Sequence, residues 1–346
     1  MHSQSGGVAS SSIAAIVLAA GKGTRMKSEL PKVLHKICGL PMVGHVIRTL
    51  SAAGISEKNI VVGGDVDLLQ NTLREFGNLT YTLQRDRLGT GEAVACAGFG
   101  LDQITPPPYA SGALLSGPKL KARYVLICAG DTPAMDPVII SDFVKTCLSK
   151  QVKLAVLGMN HPEPKGYGRL ITGDKQELLR IVEEKDASET ERRVKLCNSG
   201  VIFAETQHLF SLLGSLTQGN VQREYYLTDC FALSLARGEP ALVWSTDDYG
   251  SFDGVNDRVQ LAKLEERVTS KIRQRWMAEG ATFILSSSTY IEADVTIGSD
   301  TRIGPHASLM GRTSIGKGCE IGSHVALKDV NISDGECVAS GTVRIH

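Results

Sequence analysis

The chain has 346 residues, a length that fits two domains of ordinary size, and its 37 Lys and Arg residues balance its 37 Asp and Glu residues. A net charge of zero argues against a general nucleic-acid binder, and no apolar run approaches the ~18 residues that a membrane-spanning helix needs. Eight cysteines stand singly without a C-x-x-C pair, which favours free thiols in a reducing cytoplasm over disulfides or zinc.

Residues 1–12 are small and polar and lack the charged-then-apolar order of a secretory signal, so we expect a flexible leader there. Short β-rich runs follow and alternate with helical patterns. The runs cover 13–19, 59–64, 123–130 and 152–158. Such alternation predicts an α/β fold whose mostly parallel sheet is covered by helices on both faces.

The segments between the runs differ in character. Within 41–54, apolar residues recur at i, i+3, i+4 and i+7, and a proline and a glycine bound the segment, which predicts a helix. Residues 105–119 contain three prolines and scattered glycines, so we expect a surface loop. A charged helix is expected over 256–280.

Beyond residue 281 the apolar pattern changes its period. Aliphatic residues fall at intervals of six, at Ile291, Ile297, Ile303, Leu309, Ile315, Ile321 and Leu327, and the register then slips by one. A period of six fits neither a helix nor a plain strand. It predicts a parallel β-helix in which the aliphatic side chains point inward, with room for about three coils.

A glycine-rich turn follows the first predicted strand. It reads LAAGKGTRMKSELPK over 18–32 and contains four cations, Lys22, Arg25, Lys27 and Lys32. Backbone N–H groups near Gly21 and Gly23 can cradle phosphate oxygens at such a strand end, while the cations add positive charge. The stretch is neither a P-loop nor a dinucleotide fingerprint. A tight turn with solvated lysines is the alternative.

This stretch resembles the signature of sugar-nucleotide pyrophosphorylases, specifically the uridyltransferase half of the bifunctional bacterial GlmU family. Later blocks agree in order and spacing: LQRDRLGTGEAV (83–94), AGDTPAMDP (129–137), GYGRLI (166–171), IVEEKDA (181–187), NSGVIF (198–203), EYYLTD (224–229) and GVNDRVQLAKLE (254–265). The resemblance covers about residues 13–340. It implies a Rossmann-like nucleotidyltransferase domain over 13–255, a linker helix over 256–280 and a short left-handed parallel β-helix over 281–346.

The resemblance assigns roles to charged and metal-binding residues. It implies that Asp131 and Asn256 hold a Mg²⁺ cofactor, and oxygen ligands of this kind suit Mg²⁺. It implies that Lys22 and Arg25 take the β- and γ-phosphates of UTP, while Lys32 takes the phosphate that attacks. From the residues alone, a strand-end turn for Asp131 and a helix cap for Asn256 remain open.

The resemblance also assigns the two organic groups. The nucleotide side is implied to consist of Ala20, Gly21, Gly23, Gln84, Gly89 and Thr90. The sugar side is implied to consist of Gly168, Glu183 and Asn198, with Tyr167 packed nearby. An amide such as that of Gln84 offers both the donor and the acceptor that a uracil edge requires. One departure is Glu92, which stands where the family usually has histidine.

The expected reaction follows from these assignments. The resemblance implies transfer of UMP from UTP to N-acetylglucosamine 1-phosphate, giving UDP-N-acetylglucosamine, a cell-wall precursor. One alternative is a nucleotidyltransferase of the same fold for another base or sugar, of the dTDP-glucose or GDP-mannose type. Others are a hexapeptide acyltransferase and a non-catalytic trimeric scaffold. The intact set of Lys22, Arg25, Lys32, Asp131 and Asn256 argues against the scaffold.

Two further expectations concern the C-terminal repeats. Left-handed β-helices in the resembled families usually form trimers, so we expect a homotrimer. In the resembled bifunctional enzymes, the acetyl-transfer site comes from coils beyond those that correspond to this chain. We therefore expect uridyl transfer without acetyl transfer.

Overall fold

In the computed structural model, the structure describes residues 13–99 and 120–346. The expected leader and the expected loop at 105–119 lie outside these ranges. The described residues divide into two compact units. The first runs up to Leu34 and continues over Val43–Gly254, and the second comprises His35–Met42 and Val255–His346. The domain boundaries implied by the resemblance stay a prediction.

Nine of the first eleven strands form the main sheet. In chain order the eleven are β1 (Ile13–Ala19), β2 (Lys36–Ile37), β3 (Leu40–Pro41), β4 (Glu57–Val62), β5 (Thr80–Leu83), β6 (Tyr124–Ala129), β7 (Leu154–Asn160), β8 (Arg169–Thr172), β9 (Leu178–Val182), β10 (Leu196–Glu205) and β11 (Leu242–Thr246). Strands β2 and β3 pair only with each other. The order across the sheet is β11-β7-β10-β6-β1-β4-β5, while β8 pairs with β10 and β9. Strands β6, β1, β4 and β5 run parallel, and β10 runs antiparallel to its neighbours.

Helices cover both faces of this sheet. They are α1 (Met42–Ala52), α2 (Val66–Leu73), α3 (Thr90–Phe99), α4 (Pro137–Ser149), α5 (Glu189–Arg192), α6 (Thr206–Leu213) and α7 (Asp229–Ala236). Alternate residues of β1 enter two separate apolar clusters, Val17 in one and Ile16 in the other, and both are fully buried. The predicted α/β fold with a mostly parallel, doubly covered sheet is confirmed.

The second unit is built on α8 (Arg258–Ala278) and a β-helix. The strands of the β-helix are β12 (Thr282–Phe283), β13 (Tyr290–Ile291), β14 (Thr296–Ile297), β15 (Arg302–Ile303), β16 (Ser308–Met310), β17 (Ser314–Ile315), β18 (Glu320–Ile321), β19 (Ala326–Lys328), β20 (Asn331–Ile332), β21 (Cys337–Val338) and β22 (Val343–Ile345). They stack as three parallel sheets. All seven hexad aliphatics are buried, as predicted. The register slip appears where Ile315 pairs with Ile332, one residue closer along the chain than Ile303 and Ile321.

Local capping sets the start of α8. The side chain of Asp257 accepts a hydrogen bond of 2.8 Å from the backbone N–H of Gln260, so the helix begins at Arg258. Asn256 therefore precedes the helix. All eight cysteines are free thiols, and only Cys337 is exposed. In the described ranges, every helix is either too short or too polar to cross a membrane.

Candidate active site

The glycine-rich turn leaves the carboxyl end of β1 as an exposed, cationic loop. Lys22 and Arg25 are exposed, and no acid within the described residues forms an ion pair with either. Met26 anchors the loop because its side chain is buried. Gly23 has a φ of +59°, and a Cβ there would lie 2.7 Å from the Cβ of Lys32. The loop therefore folds back closely on Lys32 while its cations stay open to an anion.

Lys32 forms an ion pair with Asp131, and both side chains are largely shielded, with 13% and 18% of their surface exposed. Asp131 follows β6, which lies next to β1 in the sheet. The backbone N–H of Gly130 donates to the carbonyl of Leu18 at 2.9 Å, which joins the two strand ends. The structure thus brings the predicted phosphate ligand and one predicted metal ligand together. Asn256 belongs to the second unit, so its role stays a prediction.

The predicted nucleotide residues lie at the ends of the neighbouring strands. Gln84 follows β5 and is 4% exposed. Its Nε2 atom donates to the carbonyl of Gly89 at 2.9 Å and to Oε2 of Glu92 at 2.8 Å. Thr90 begins α3 and accepts a bond of 3.0 Å from the backbone N–H of Leu227. The hydroxyl of Thr90 therefore holds the 225–227 segment.

The backbone of Ala20 closes this part of the site. A Cβ on Gly63, which follows β4, would lie 2.5 Å from the carbonyl oxygen of Ala20. The guanidinium of Arg87 donates to the carbonyl of Gly63. A Cβ on Gly21 would meet no atom of the described residues within 4 Å. The ends of β1 and β4 thus meet at Ala20, and Arg87, from the loop after β5, holds Gly63 there.

Three of the four predicted sugar residues converge. A Cβ on Gly168 would lie 3.5 Å from Oε2 of Glu183 and 3.6 Å from the Cβ of Asn198. The backbone N–H of Asn198 donates to the carbonyl of Gly168 at 2.9 Å. Its side-chain oxygen accepts from the N–H of Gly200 at 2.9 Å, which leaves the amide NH₂ as a donor. These residues present a carboxylate and an amide on one small surface.

Tyr167 is adjacent but engaged elsewhere. Its hydroxyl donates to Oδ1 of Asp253 at 3.0 Å, and its ring packs against that of His161 with a centroid separation of 5.0 Å. Burial, with the nearby Asp253 carboxylate adding to it, raises the pKa of the Tyr167 hydroxyl. Tyr167 therefore remains a neutral donor, and its place beside the sugar stays a prediction.

Glu183 lines a cavity of ≈ 370 Å³. The sequence had assigned no role to the other residues that line this cavity. Oε1 of Glu183 accepts from the hydroxyl of Thr228 at 3.1 Å. The hydroxyl of Tyr226 contacts Asp186 at 3.3 Å, and all four residues line the cavity. Thr228 and Tyr226 belong to the EYYLTD block. The resemblance therefore included these two residues but assigned no function to them. Burial raises the pKa of Glu183, and the carboxylates of Asp229 and Asp186 raise it further.

Comparison with known families assigns two segments of the chain. A profile of MobA-like NTP transferase domains matches residues 15–195, and a profile of bacterial transferase hexapeptide repeats matches residues 289–329. The fold and site therefore define a nucleotidyltransferase that carries a hexapeptide β-helix of the left-handed type. A crystal structure from Bacillus anthracis, described as a glucose-1-phosphate thymidylyltransferase bound to sucrose, shares the fold with a TM-score of 0.54. It is 18% identical and covers 73% of this chain and 94% of its own.

Similarity to curated proteins gives the family. A bifunctional protein GlmU from Halalkalibacterium halodurans is 37% identical over 95% of this chain and 68% of its own length. The corresponding proteins of Pelobacter propionicus and Trichlorobacter lovleyi are each 38% identical, over 96% and 95% of this chain and 68% of their own lengths. The chain belongs to the GlmU family and is a sugar-1-phosphate nucleotidyltransferase.

Proposed function

We propose that this enzyme transfers the uridyl group of UTP to N-acetylglucosamine 1-phosphate, forming UDP-N-acetylglucosamine and pyrophosphate. The observation that carries the proposal is the convergence of Gly168, Glu183 and Asn198, of which Glu183 lines the ≈ 370 Å³ cavity. A carboxylate and an amide at one surface can accept from sugar hydroxyls and donate to an acetamido carbonyl. A pocket of this size lies within the range that binds small molecules.

The chemistry requires no protein base because the sugar phosphate is already an anionic nucleophile. One of its oxygens forms a bond to the α-phosphorus of UTP, while the bond from that phosphorus to the bridging oxygen breaks and pyrophosphate leaves with the negative charge. Lys22 and Arg25 neutralise the departing phosphates. Lys32 neutralises and orients the attacking phosphate, so it must exchange its contact with Asp131 for one with substrate.

The residues present fit Mg²⁺. Asp131 already holds a cationic group, the Lys32 ammonium, so its carboxylate is placed where positive charge is stabilised. Asp131 would supply a carboxylate oxygen and, by the proposal, Asn256 an amide oxygen, the hard ligands that Mg²⁺ prefers, and substrate phosphates would complete the shell. The ion would stabilise negative charge that develops on the reacting phosphates.

Initial rates of pyrophosphate release test the proposal. UTP, dTTP, CTP and GTP are each paired with N-acetylglucosamine 1-phosphate, glucosamine 1-phosphate, glucose 1-phosphate and mannose 1-phosphate. We expect the highest kcat/KM for UTP with N-acetylglucosamine 1-phosphate. A maximum for dTTP with glucose 1-phosphate, or for GTP with mannose 1-phosphate, would favour the alternative of the same fold.

Three further parts of the proposal have their own measurements. We propose a homotrimer formed through the β-helix, and sedimentation equilibrium gives its mass. We expect no acetyl transfer from this chain, and thiol release from acetyl-CoA with glucosamine 1-phosphate tests that. Free, mostly buried thiols support a reducing cytoplasm as the compartment.

A further inference from the structure

Glu92 is a buried acid that the proposed mechanism does not use. It stands in the first turn of α3 and is 1% exposed. A single oxygen, Oε2, accepts from Nε2 of Gln84 at 2.8 Å and from the backbone N–H of Leu88 at 2.5 Å. Within the described residues no lysine or arginine pairs with it. A buried carboxylate without a cation is costly, which suggests that it serves position rather than stability.

The partners of Gln84 fix the orientation of its amide. Nε2 points at two groups that can only accept there, the carboxylate of Glu92 and the carbonyl of Gly89. Turning the amide over would place Oε1 against both acceptors. Both hydrogens of the NH₂ group are therefore engaged in hydrogen bonds within the protein. No described residue donates a hydrogen bond to Oε1. Oε1 is the hydrogen-bonding atom of this side chain that is left for a ligand.

We propose that Glu92 is a positioning residue that sets nucleobase specificity by locking Gln84 with its carbonyl oxygen toward the base. The inference rests on the proposed role of Gln84 in nucleotide binding. An acceptor at this position suits an imide N3–H, as in uracil and thymine. It repels cytosine, whose N3 is itself an acceptor. Glu92 thus selects imide bases without touching the nucleotide.

Helix capping is the competing explanation of Glu92. An acid in a first helical turn that accepts from a preceding backbone N–H stabilises the helix start, whatever the nucleotide. The two explanations separate in the ratio of kcat/KM for UTP to that for CTP. Capping affects both nucleotides equally, whereas orientation of Gln84 affects the ratio.

The test compares two variants with the unaltered protein. Glu92→Leu removes one of the two acceptors that hold the NH₂ group of Gln84, while the carbonyl of Gly89 remains. The amide can then turn its NH₂ toward cytosine N3 more readily, so the UTP/CTP ratio should fall by about fivefold or more. Glu92→Gln keeps one carbonyl oxygen, which can accept both bonds, and should keep the ratio within about twofold. Thermal unfolding establishes that both variants are folded. An unchanged ratio in folded Glu92→Leu overturns the proposal.

A second test uses the unaltered protein, so its result does not depend on whether the Glu92→Leu variant folds. N3-methyl-UTP lacks the N3–H, so its kcat/KM should fall at least about 100-fold below that of UTP. The control, 5-methyl-UTP, adds a methyl group but keeps the N3–H and should lose far less. Equal use of N3-methyl-UTP and UTP overturns the proposal. If the enzyme instead prefers dTTP, the proposed nucleotide is wrong, and the dTTP/CTP ratio tests Glu92 independently.

Discussion

Substituting Gly89 by alanine should disrupt the predicted nucleotide site more than a matched glycine substitution elsewhere. Gly89 has a φ of +123°, and a Cβ there would lie 2.6 Å from the carbonyl oxygen and 2.8 Å from the nitrogen of Tyr225. Both are backbone atoms that cannot turn away as a flexible side chain can. The 225–227 segment must therefore move from the loop before α3.

The expected loss of stability follows from the hydrogen bonds that this movement breaks. The N–H of Tyr225 donates to the carbonyl of Leu88 at 2.7 Å, and the N–H of Gly91 donates to the carbonyl of Tyr225 at 2.8 Å. Backbone strain from a positive φ costs about 1–3 kcal/mol. Loss of two hydrogen bonds adds about 1 kcal/mol each, so we expect about 3–5 kcal/mol in total.

Gly77→Ala is the matched control. Gly77 has a φ of +92°, but a Cβ there would meet no atom of the described ranges within 4 Å, so we expect the substitution to introduce strain alone. Urea unfolding should place Gly89→Ala about 2 kcal/mol below Gly77→Ala in free energy of unfolding. Its kcat/KM for UTP should fall by about 100-fold through misplacement of the site, while Gly77→Ala keeps wild-type turnover. Equal stability and equal UTP turnover in the two variants would refute the assigned packing.

The remaining predictions concern charge. Asp131→Asn should lower kcat by about 10²–10³-fold with little change in far-UV circular dichroism, and near-normal pyrophosphate release at saturating Mg²⁺ would contradict the metal assignment. Arg25→Ala should lower kcat/KM for UTP by at least about tenfold. The control Lys145→Ala removes an exposed cation from α4 and should leave kcat/KM unchanged. Equal kcat/KM values for the two variants would exclude a phosphate-binding role for the glycine-rich turn. The raised pKa of Glu183 means that the folded protein binds a proton that the unfolded chain releases near 4.5, so stability falls as pH rises from 4.5 to the raised pKa. The free energy of unfolding of the wild type should therefore fall across that pH window relative to that of Glu183→Gln. If urea unfolding shows a constant difference between the two proteins, the raised pKa of Glu183 is refuted.

The sequence predicted the elements whose side chains carry a periodic signal. The apolar run at 13–19 matches β1 residue for residue, and the hexads match the buried positions of the β-helix. The start of β4 was less predictable. Glu57 pairs with Ala14 in the parallel ladder although its side chain is exposed, because backbone pairing does not depend on an apolar side chain.

The residues of the candidate site could be named from the sequence, but the contacts between them could not. Lys32 and Asp131 were each assigned roles, yet their ion pair joins positions far apart in sequence and depends on β1 lying beside β6. Glu92 was visible only as a departure from the family pattern. Its bond to Gln84 requires the loop between β5 and α3 to fold back, and no local propensity encodes that contact.

Competition among substrates tests the central claim most directly. The protein is incubated with equal concentrations of UTP, dTTP, CTP and GTP, together with N-acetylglucosamine, glucosamine, glucose and mannose 1-phosphates and Mg²⁺. The sugar nucleotides are then identified by mass spectrometry at low conversion. We predict UDP-N-acetylglucosamine as the main product. A different base or a different sugar in the main product would contradict the proposed function.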